Sequence, residues 1–409
     1  MGGRIATYPR HVGDRAGTIH PMTAADLIDR FGSPLYVYEE AGLRSRCRQL
    51  VAALPSCALL YAMKANANPS LLSVIREEGL GIDAVSIGEV MRARRVGFAT
   101  EQISYNGNNV TDEEMGAVRE LGVHVTVDSL SQLERYGRLF PGTDVGLRLN
   151  PDIGEGHHDH VITGGPEAKF GVDHEDIEAA HCIASRHGLI ISGLHQHVGS
   201  GILEVDRFVS AMEVMLEVAE RFSGLRFVDF GGGFGVGYKP DEEDFDVAKL
   251  GTEVSHLLAR FRAKEPDVVF RFEPGRWIIA PCGTLYVTVT SVKRGKRHTF
   301  VGTDSGLNHL LRPALYGSWH AIENVSRPDA PAETVAVAGN ICESGDLFCK
   351  GRAVPKPEEG DVLAIRDVGA YGWSMASSYN LRPRPAEVLV RPGGPQVIRE
   401  REPLDAINH

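Results

Sequence analysis

Lys64 ends a short apolar run, "CALLYAM", and is followed by the turn signal "NANP". A lysine facing a loop is ordinarily a solvated surface residue, because ammonium groups are seldom buried. The alternative is a desolvated amine that bonds covalently to a carbonyl cofactor. Three other stretches bear on that choice. "HVGSG" carries His197 and Ser200, "DFGGGFGVGY" carries Gly232 and Gly233, and "EPGR" carries Glu273, Gly275 and Arg276. The glycine run is not the dinucleotide fingerprint G-x-G-x-x-G, since Val236 or Tyr238 falls where its last glycine belongs, and no P-loop lysine follows. It can still bring several backbone N–H groups against a phosphate, with Ser200 adding a hydroxyl. A lysine, a phosphate cradle and a carboxylate together suggest pyridoxal phosphate. Lys64 would form the imine, Glu273 would hold the pyridine nitrogen protonated so that the ring acts as an electron sink, and His197 would stack on the ring.

These residues need a scaffold that gathers them. Eight apolar, β-branched runs recur from residue 57: "CALLYAM", "GIDAVS", "ISYNG", "HVTVDS", "DVGLRLN", "LIISGLHQHVG", "LRFVDFGGG" and "VVFRFEPG". Helical stretches such as "PSLLSVIREEGL" and "VDRFVSAMEVMLEVAERFSG" separate most of them. The first five repeat at roughly 22 residues, and eight alternations within about 220 residues suit a (β/α)8 TIM-type barrel better than a Rossmann sheet of about six strands. Catalytic residues of such barrels collect at the C-terminal ends of strands. The exits here carry Lys64; Asp83 with Ser86 and Glu89; Asn106; Asp128; Arg148 and Asn150; His195, His197 and Ser200; the glycine run; and Glu273 with Arg276. Any one of these could cap a helix or fill a turn, but the set points to one polar pocket. After "EPGR" the chain turns to strand-like runs such as "TLYVTVTSVKRG", "RHTFVGTD", "AETVAVAGN", "DVLAIRDVGAY" and "PAEVLVRPG", which read as an all-β domain. The expected division is an α/β barrel over residues 36–276 and a β domain, sandwich or barrel, from residues 1–35 and 277–409, to which "SPLYVYEE" could add a strand.

The 409 residues, with 43% hydrophobic and 24% charged content, describe a globular protein of two domains. A net charge of -11 argues against nucleic-acid binding. No apolar run approaches the ~18 residues of a membrane span. The opening "MGGRIATYPRHVGDRAG" has no apolar core of a secretory leader, and Ala6 stands where myristoylation of Gly2 would need Ser or Thr. The six cysteines form no C-x-x-C pair and suit a reducing cytoplasm. In "HHDH", His157 to His160, adjacent side chains cannot share one face, and no metal is expected there.

"YAMKAN", "GIDAVSIGE", "NGNN", "VDS", "RLNP", "TGGPEAKFG", "HVGSG", "GGGFG", "EPGR", "RPALY", "CESGD" and "GAYGWSMASSYN" occur in this order. In combination they resemble the fold-type III (group IV, alanine racemase-like barrel) pyridoxal-phosphate decarboxylases, most closely the branch acting on diaminopimelate, from "FGSPLYVY" to "RPRPAEVLV". The resemblance implies that Lys64 is the Schiff-base lysine with Asp83 near it, that His197 stacks on the ring, and that Ser200, Gly232, Gly233, Gly275 and Arg276 hold the phosphate or its surroundings. It implies that Glu273 meets the pyridine nitrogen and that Tyr371 reaches cofactor or substrate. It further implies a homodimer with shared active sites, in which Cys342, the general acid, and Glu343 come from the partner chain. Arg312 and Tyr316, with Arg276, are expected to hold a substrate carboxylate, since arginine offers a planar fork that matches one; Glu343 suits a distal ammonium. The implied reaction converts meso-2,6-diaminopimelate to L-lysine and CO2. A related decarboxylase for another amino acid (ornithine, lysine, arginine or a specialised-pathway substrate), a racemase on the same barrel, and a non-enzymatic cofactor-binding barrel remain the alternatives. Glu273 argues against the racemase, and the C-terminal third against the non-enzymatic protein.

Overall fold

The computed structural model describes residues 22–150, the backbone of 155–156, and residues 169–407. The chain forms two compact units: Arg46–Val236 with Glu243–Ile278, and a second drawn from the chain up to Ser45, Gly237–Glu242 and Ile279 onward.

In the first unit eight strands run parallel in sequence order: β1 Ala58–Ala62, β2 Gly81–Ala84, β3 Ile103–Tyr105, β4 His124–Val127, β5 Asp144–Asn150, β6 Ile190–His195, β7 Phe227–Asp229 and β8 Val269–Phe272. β8 pairs back to β1, with Phe272 opposite Leu59, and closes the (β/α)8 barrel. The strands are nearly continuous apolar runs because both faces are covered, one by the barrel interior and one by helices. Helix Val205–Ala219 turns Phe208, Ala211, Met212, Met215 and Leu216 inward at helical spacing. Asn68, Ser86, Thr111 and Ser129 accept from first-turn amides and start their helices. Ser86 and Glu89, counted among the polar exits, are therefore occupied locally: Ser86 Oγ accepts from the Glu89 N–H, and Glu89 Oε2 from the Val85 N–H.

Strand register sets the exits at one level. Asp83 lies opposite Ala62, and Arg148, His195, Asp229 and Arg271 are successive partners across β5 to β8. The chain leaving β7 is pinned by aromatic packing. Phe234, directly after the glycines, stacks on Phe245 at 4.5 Å between centroids and meets Phe208 edge-on at 5.1 Å.

The second unit is a nine-stranded sheet. Its main path runs Leu347–Pro355, Ala332–Ala338, Thr299–Thr303, Gly283–Arg294, Leu35–Glu39, Ala386–Arg391, Gly394–Arg399, with Val362–Ile365 and Ile322–Asn324 paired alongside. The "SPLYVYEE" segment does supply a strand, antiparallel to Gly283–Arg294 and parallel to Ala386–Arg391. Leu27, Leu35, Val37, Ala386 and Val388 form a core beneath it. Among the described residues no helix is long and apolar enough to cross a membrane.

Phe208 is fully buried beside the loop that follows β7. Phe208→Ala is expected to lower unfolding stability by about 3–5 kcal/mol, read as a shift in the urea midpoint; a loss below about 1 kcal/mol would show that this cluster does not hold the loop.

Candidate active site at the barrel mouth

Lys64 follows β1 in a single 3-10 turn, Met63–Ala65, and its Nζ lies 2.8 Å from Asp83 Oδ2. The other Asp83 oxygen accepts from Asn106 Nδ2 at 3.0 Å, and the same Nδ2 reaches Glu273 Oε1 at 2.7 Å. Glu273 Oε2 is 2.9 Å from His195 Nε2. Residues from five exits thus form one chain, Lys64–Asp83–Asn106–Glu273–His195. Arg148 and Asp128 form a second pair at 3.3 Å. Asn150 is turned aside, its amide donating to Asp173 at 3.0 Å. His157–His160 and most of "TGGPEAKFG" lie outside the described residues.

The exits of β6 and β7 are laced together. Gly201 and Ile202 donate to the Gly233 carbonyl at 2.9 and 3.0 Å, and Gly235 donates back to Ile202 at 2.7 Å. A Cβ at Gly232 would collide with the Glu273 carbonyl, and Gly233 has φ +106°. Only glycine lets the backbone lie this close and turn this way. His197 Nδ1 accepts from the Gly232 N–H at 3.2 Å, and Arg276 Nη2 donates to Ser200 Oγ at 2.9 Å. Gly275 packs against Ala62, two residues before Lys64. The set fits pyridoxal phosphate: guanidinium, hydroxyl and glycine backbone suit a phosphate, an amine suits an aldehyde, and a buried carboxyl suits a ring nitrogen.

Burial pushes the Glu273 carboxyl up to about 8, and the negative Asp83 adds to the rise. Burial pushes Asp83 up as well, but the Lys64 ammonium and the hydrogen bonds outweigh it and leave Asp83 below its ordinary value. Burial drives His195 down to about 4, and with Lys64 drives His197 well below the ordinary range. At neutral pH the mouth therefore holds an ionised Asp83, neutral imidazoles and a protonated Glu273. Since Glu273 Oε1 accepts from Asn106, that proton belongs on Oε2, facing His195.

The second unit carries the other expected residues. Arg312 opens the helix Arg312–Tyr316 and is buried; its Nη1 donates to His320 Nε2 at 2.8 Å, and its guanidinium lies 4.5 Å from the Tyr238 ring centroid. Tyr316 ends the helix, partly exposed. Cys342 and Glu343 are exposed on a loop tied by Asp346, whose carboxylate accepts the N–H groups of Ile341 (2.8 Å) and Leu307 (2.6 Å). Glu343 accepts from Tyr379 Oη at 2.6 Å, and the Cys342 N–H donates to Asn380. Tyr371 sits at φ +57°, a left-handed conformation that non-glycine residues adopt only when held.

His195 and Asn106 are legible in the sequence only as polar strand exits without a role, and Asp229 does not stand out as a site residue. Asp229 Oδ1 accepts the Gly231 N–H at 2.9 Å and starts the glycine turn. An aspartate two residues before the first of these turning glycines is the signal that could have found it.

A carboxyl raised from 4.5 to about 8 keeps a proton in the folded state that the unfolded chain has released. Cofactor-free protein should therefore lose stability from Glu273 as pH rises through that window, at up to about 1.4 kcal/mol per pH unit. Urea midpoints from about pH 5.5 to about pH 8 should fall less steeply in Glu273→Gln than in the parent; parallel pH dependences would contradict the assignment.

Residues 40–280 match the family model for the pyridoxal-dependent decarboxylase, pyridoxal binding domain. A diaminopimelate decarboxylase of Methanothermobacter thermautotrophicus is 44% identical over 394 residues, covering 93% of this chain and 91% of that protein. One of Streptomyces coelicolor is 36% identical over 401 residues, covering 93% and 90%. The crystal structure of diaminopimelate decarboxylase from Helicobacter pylori complexed with L-lysine matches with a TM-score of 0.87 at 31% identity, covering 94% of this chain and 98% of that one. Both units of the fold and nearly the whole length are shared with these relatives, and the chain belongs to the diaminopimelate decarboxylase family of pyridoxal-dependent decarboxylases.

Proposed function

We infer that this enzyme decarboxylates meso-2,6-diaminopimelate to L-lysine and CO2 with pyridoxal 5'-phosphate as its cofactor, the final step of a lysine biosynthesis. The observation that carries this is the hydrogen-bonded chain with an ion-paired lysine at one end and a protonated glutamate towards the other, in a member of this family.

Pyridoxal phosphate, when bound, supplies an aldehyde for an amine and a protonated ring that takes up the electron pair left as CO2 departs. In our reading Lys64 is the amine that retains the cofactor, and Asp83 orients its Nζ. Ser200, Gly232, Gly233, Gly275 and Arg276 would take the phosphate. His197, neutral and held by the Gly232 N–H, would stack on the ring. Glu273 would present its carboxyl to the ring nitrogen, and the neutral His195 behind it accepts a hydrogen bond from that carboxyl across 2.9 Å. Loss of CO2 leaves the α-carbon short of a proton, and we assign the general acid to Cys342 of the partner subunit. Arg276, Arg312 and Tyr316 take substrate carboxylate, Glu343 of the partner subunit the distal ammonium, and Tyr371 reaches cofactor or substrate. All six cysteines are free, which supports action in the cytoplasm.

Arg312 separates a substrate with a second carboxylate from lysine or ornithine. Leaving one partner of a buried charge pair alone costs about 2–5 kcal/mol, and about 2.7 kcal/mol is a hundredfold in rate. CO2 release from meso-diaminopimelate should thus exceed that from L-lysine or L-ornithine by about a hundredfold or more in kcat/KM, and Arg312→Ala should erase most of the preference. An inert diaminopimelate beside a turned-over alternative would make the substrate assignment wrong.

The shared site makes a separate prediction. Lys64→Ala and Cys342→Ala chains, each inactive alone, should regain activity on mixing, because a mixed dimer contains one intact site. No recovery after verified subunit exchange would mean that each chain builds its own site.

A further inference from the structure

Asn106 sits where the two buried carboxylates meet. It is 7% exposed, and its backbone N–H is fastened to the Ala84 carbonyl at 3.0 Å, directly beyond Asp83. Its Nδ2 has two hydrogens, and one goes to each carboxylate, at 3.0 Å to Asp83 and 2.7 Å to Glu273. The opposite amide orientation would set Oδ1 against two carboxylate oxygens, so the pattern of partners fixes it. In the orientation adopted, Oδ1 is buried without a hydrogen-bond partner. Such an atom is unfavourable, and groups like it are uncommon in folded proteins. The side chain gives up one acceptor so that both of its hydrogens can serve the carboxylates.

We propose that Asn106 is a positioning residue that joins the lysine end of the site to the glutamate end, setting the spacing of Asp83 and Glu273 and the proton affinity of both. The proposal rests on the pyridoxal phosphate reading of this mouth. A neutral double donor suits the place better than the obvious substitutes. An aspartate would set a second negative group against the ionised Asp83 and take the donor from both carboxyls. A lysine would compete with Lys64 for Asp83. A leucine of similar size would leave Asp83 Oδ1 and Glu273 Oε1 without the donor they share. Through Asn106 the geometry of the two ends is coupled: Asp83 cannot follow Lys64 without shifting the donor on which Glu273 Oε1 depends.

Titration of the cofactor-free, full-length protein with pyridoxal 5'-phosphate, read by visible absorbance, tests this without turnover. Asn106→Leu and Asn106→Asp should weaken cofactor binding by about tenfold or more, since a hydrogen bond to an ionisable carboxyl is lost at each end. Both should move the pH midpoint of the bound cofactor's absorbance upward, Asn106→Asp further, because each change raises the proton affinity of the carboxyls. Asn106→Ser, which keeps one donor, should fall between them and the parent, and it carries the test if the leucine variant does not fold. Parent-like affinity and midpoint in the folded variants would overturn the proposal, and so would a lowered melting temperature with both quantities unchanged. A parent protein that gives no visible band with pyridoxal phosphate would instead bring down the cofactor reading, and this proposal with it.

Discussion

Asp83 and Glu273 lie in the barrel mouth with 1% and 4% of their surfaces exposed, and both contact a single amide group. Two carboxylates this close in a dry site cannot both stay ionised without compensation. The structure answers asymmetrically. Asp83 keeps its charge because Lys64 faces it, and Glu273 keeps a proton because burial and Asp83 both favour the neutral form. That asymmetry makes one end of the site an oriented amine and the other a proton source. The neighbouring groups follow from it: His195 is held neutral where it can share the Glu273 proton, and Arg148 is neutralised by Asp128.

The constraint extends into the scaffold. Parallel register brings the exits of β1 to β8 to a common level, so residues far apart in the chain become neighbours without long loops. Glycine at 232 and 233 lets the chain leaving β7 pass against Glu273 and Gly199, where a side chain would not fit. Phe234, Phe208 and Phe245 then hold that chain from below. The cradle owes its precision to aromatic packing as much as to its glycines.

The sheet unit works by different means. Arg312 and Tyr316 sit on a short helix, and the other candidates sit on turns tied by a buried or strained group: Asp346 gathers two backbone amides around the Cys342–Glu343 loop, and Tyr371 is held in a left-handed conformation. His320 donates from Nδ1 to the Arg366 carbonyl, which leaves Nε2 to accept from Arg312 and identifies a neutral ring.

Much of this was legible in the sequence because its signals are local. Each barrel strand is an apolar run of a few residues, and each exit follows it directly, so the eight runs and the ring of polar exits from Lys64 to Arg276 could be read without a structure. The strand at Leu35–Glu39 and five later ones were legible for the same reason. The strands Ile322–Asn324, Leu347–Pro355 and Gly394–Arg399 were not: the first is three residues long, the second is broken by Lys350, Gly351 and Arg352, and the third is a partly exposed edge. Residue type alone could not say that Ser86 and Glu89 cap a helix while Asn106 faces two carboxylates, because that depends on where side chains from distant strands converge. The same holds for protonation. Glu273 as a residue is an ordinary acid, and only burial beside Asp83, 190 positions away, lifts it to about 8. Sequence thus determined which chemical groups stand at the barrel mouth; tertiary structure decided which of them touch, which carry a proton, and which serve only to hold the chain, since those properties arise from contacts across strands and from exclusion of water.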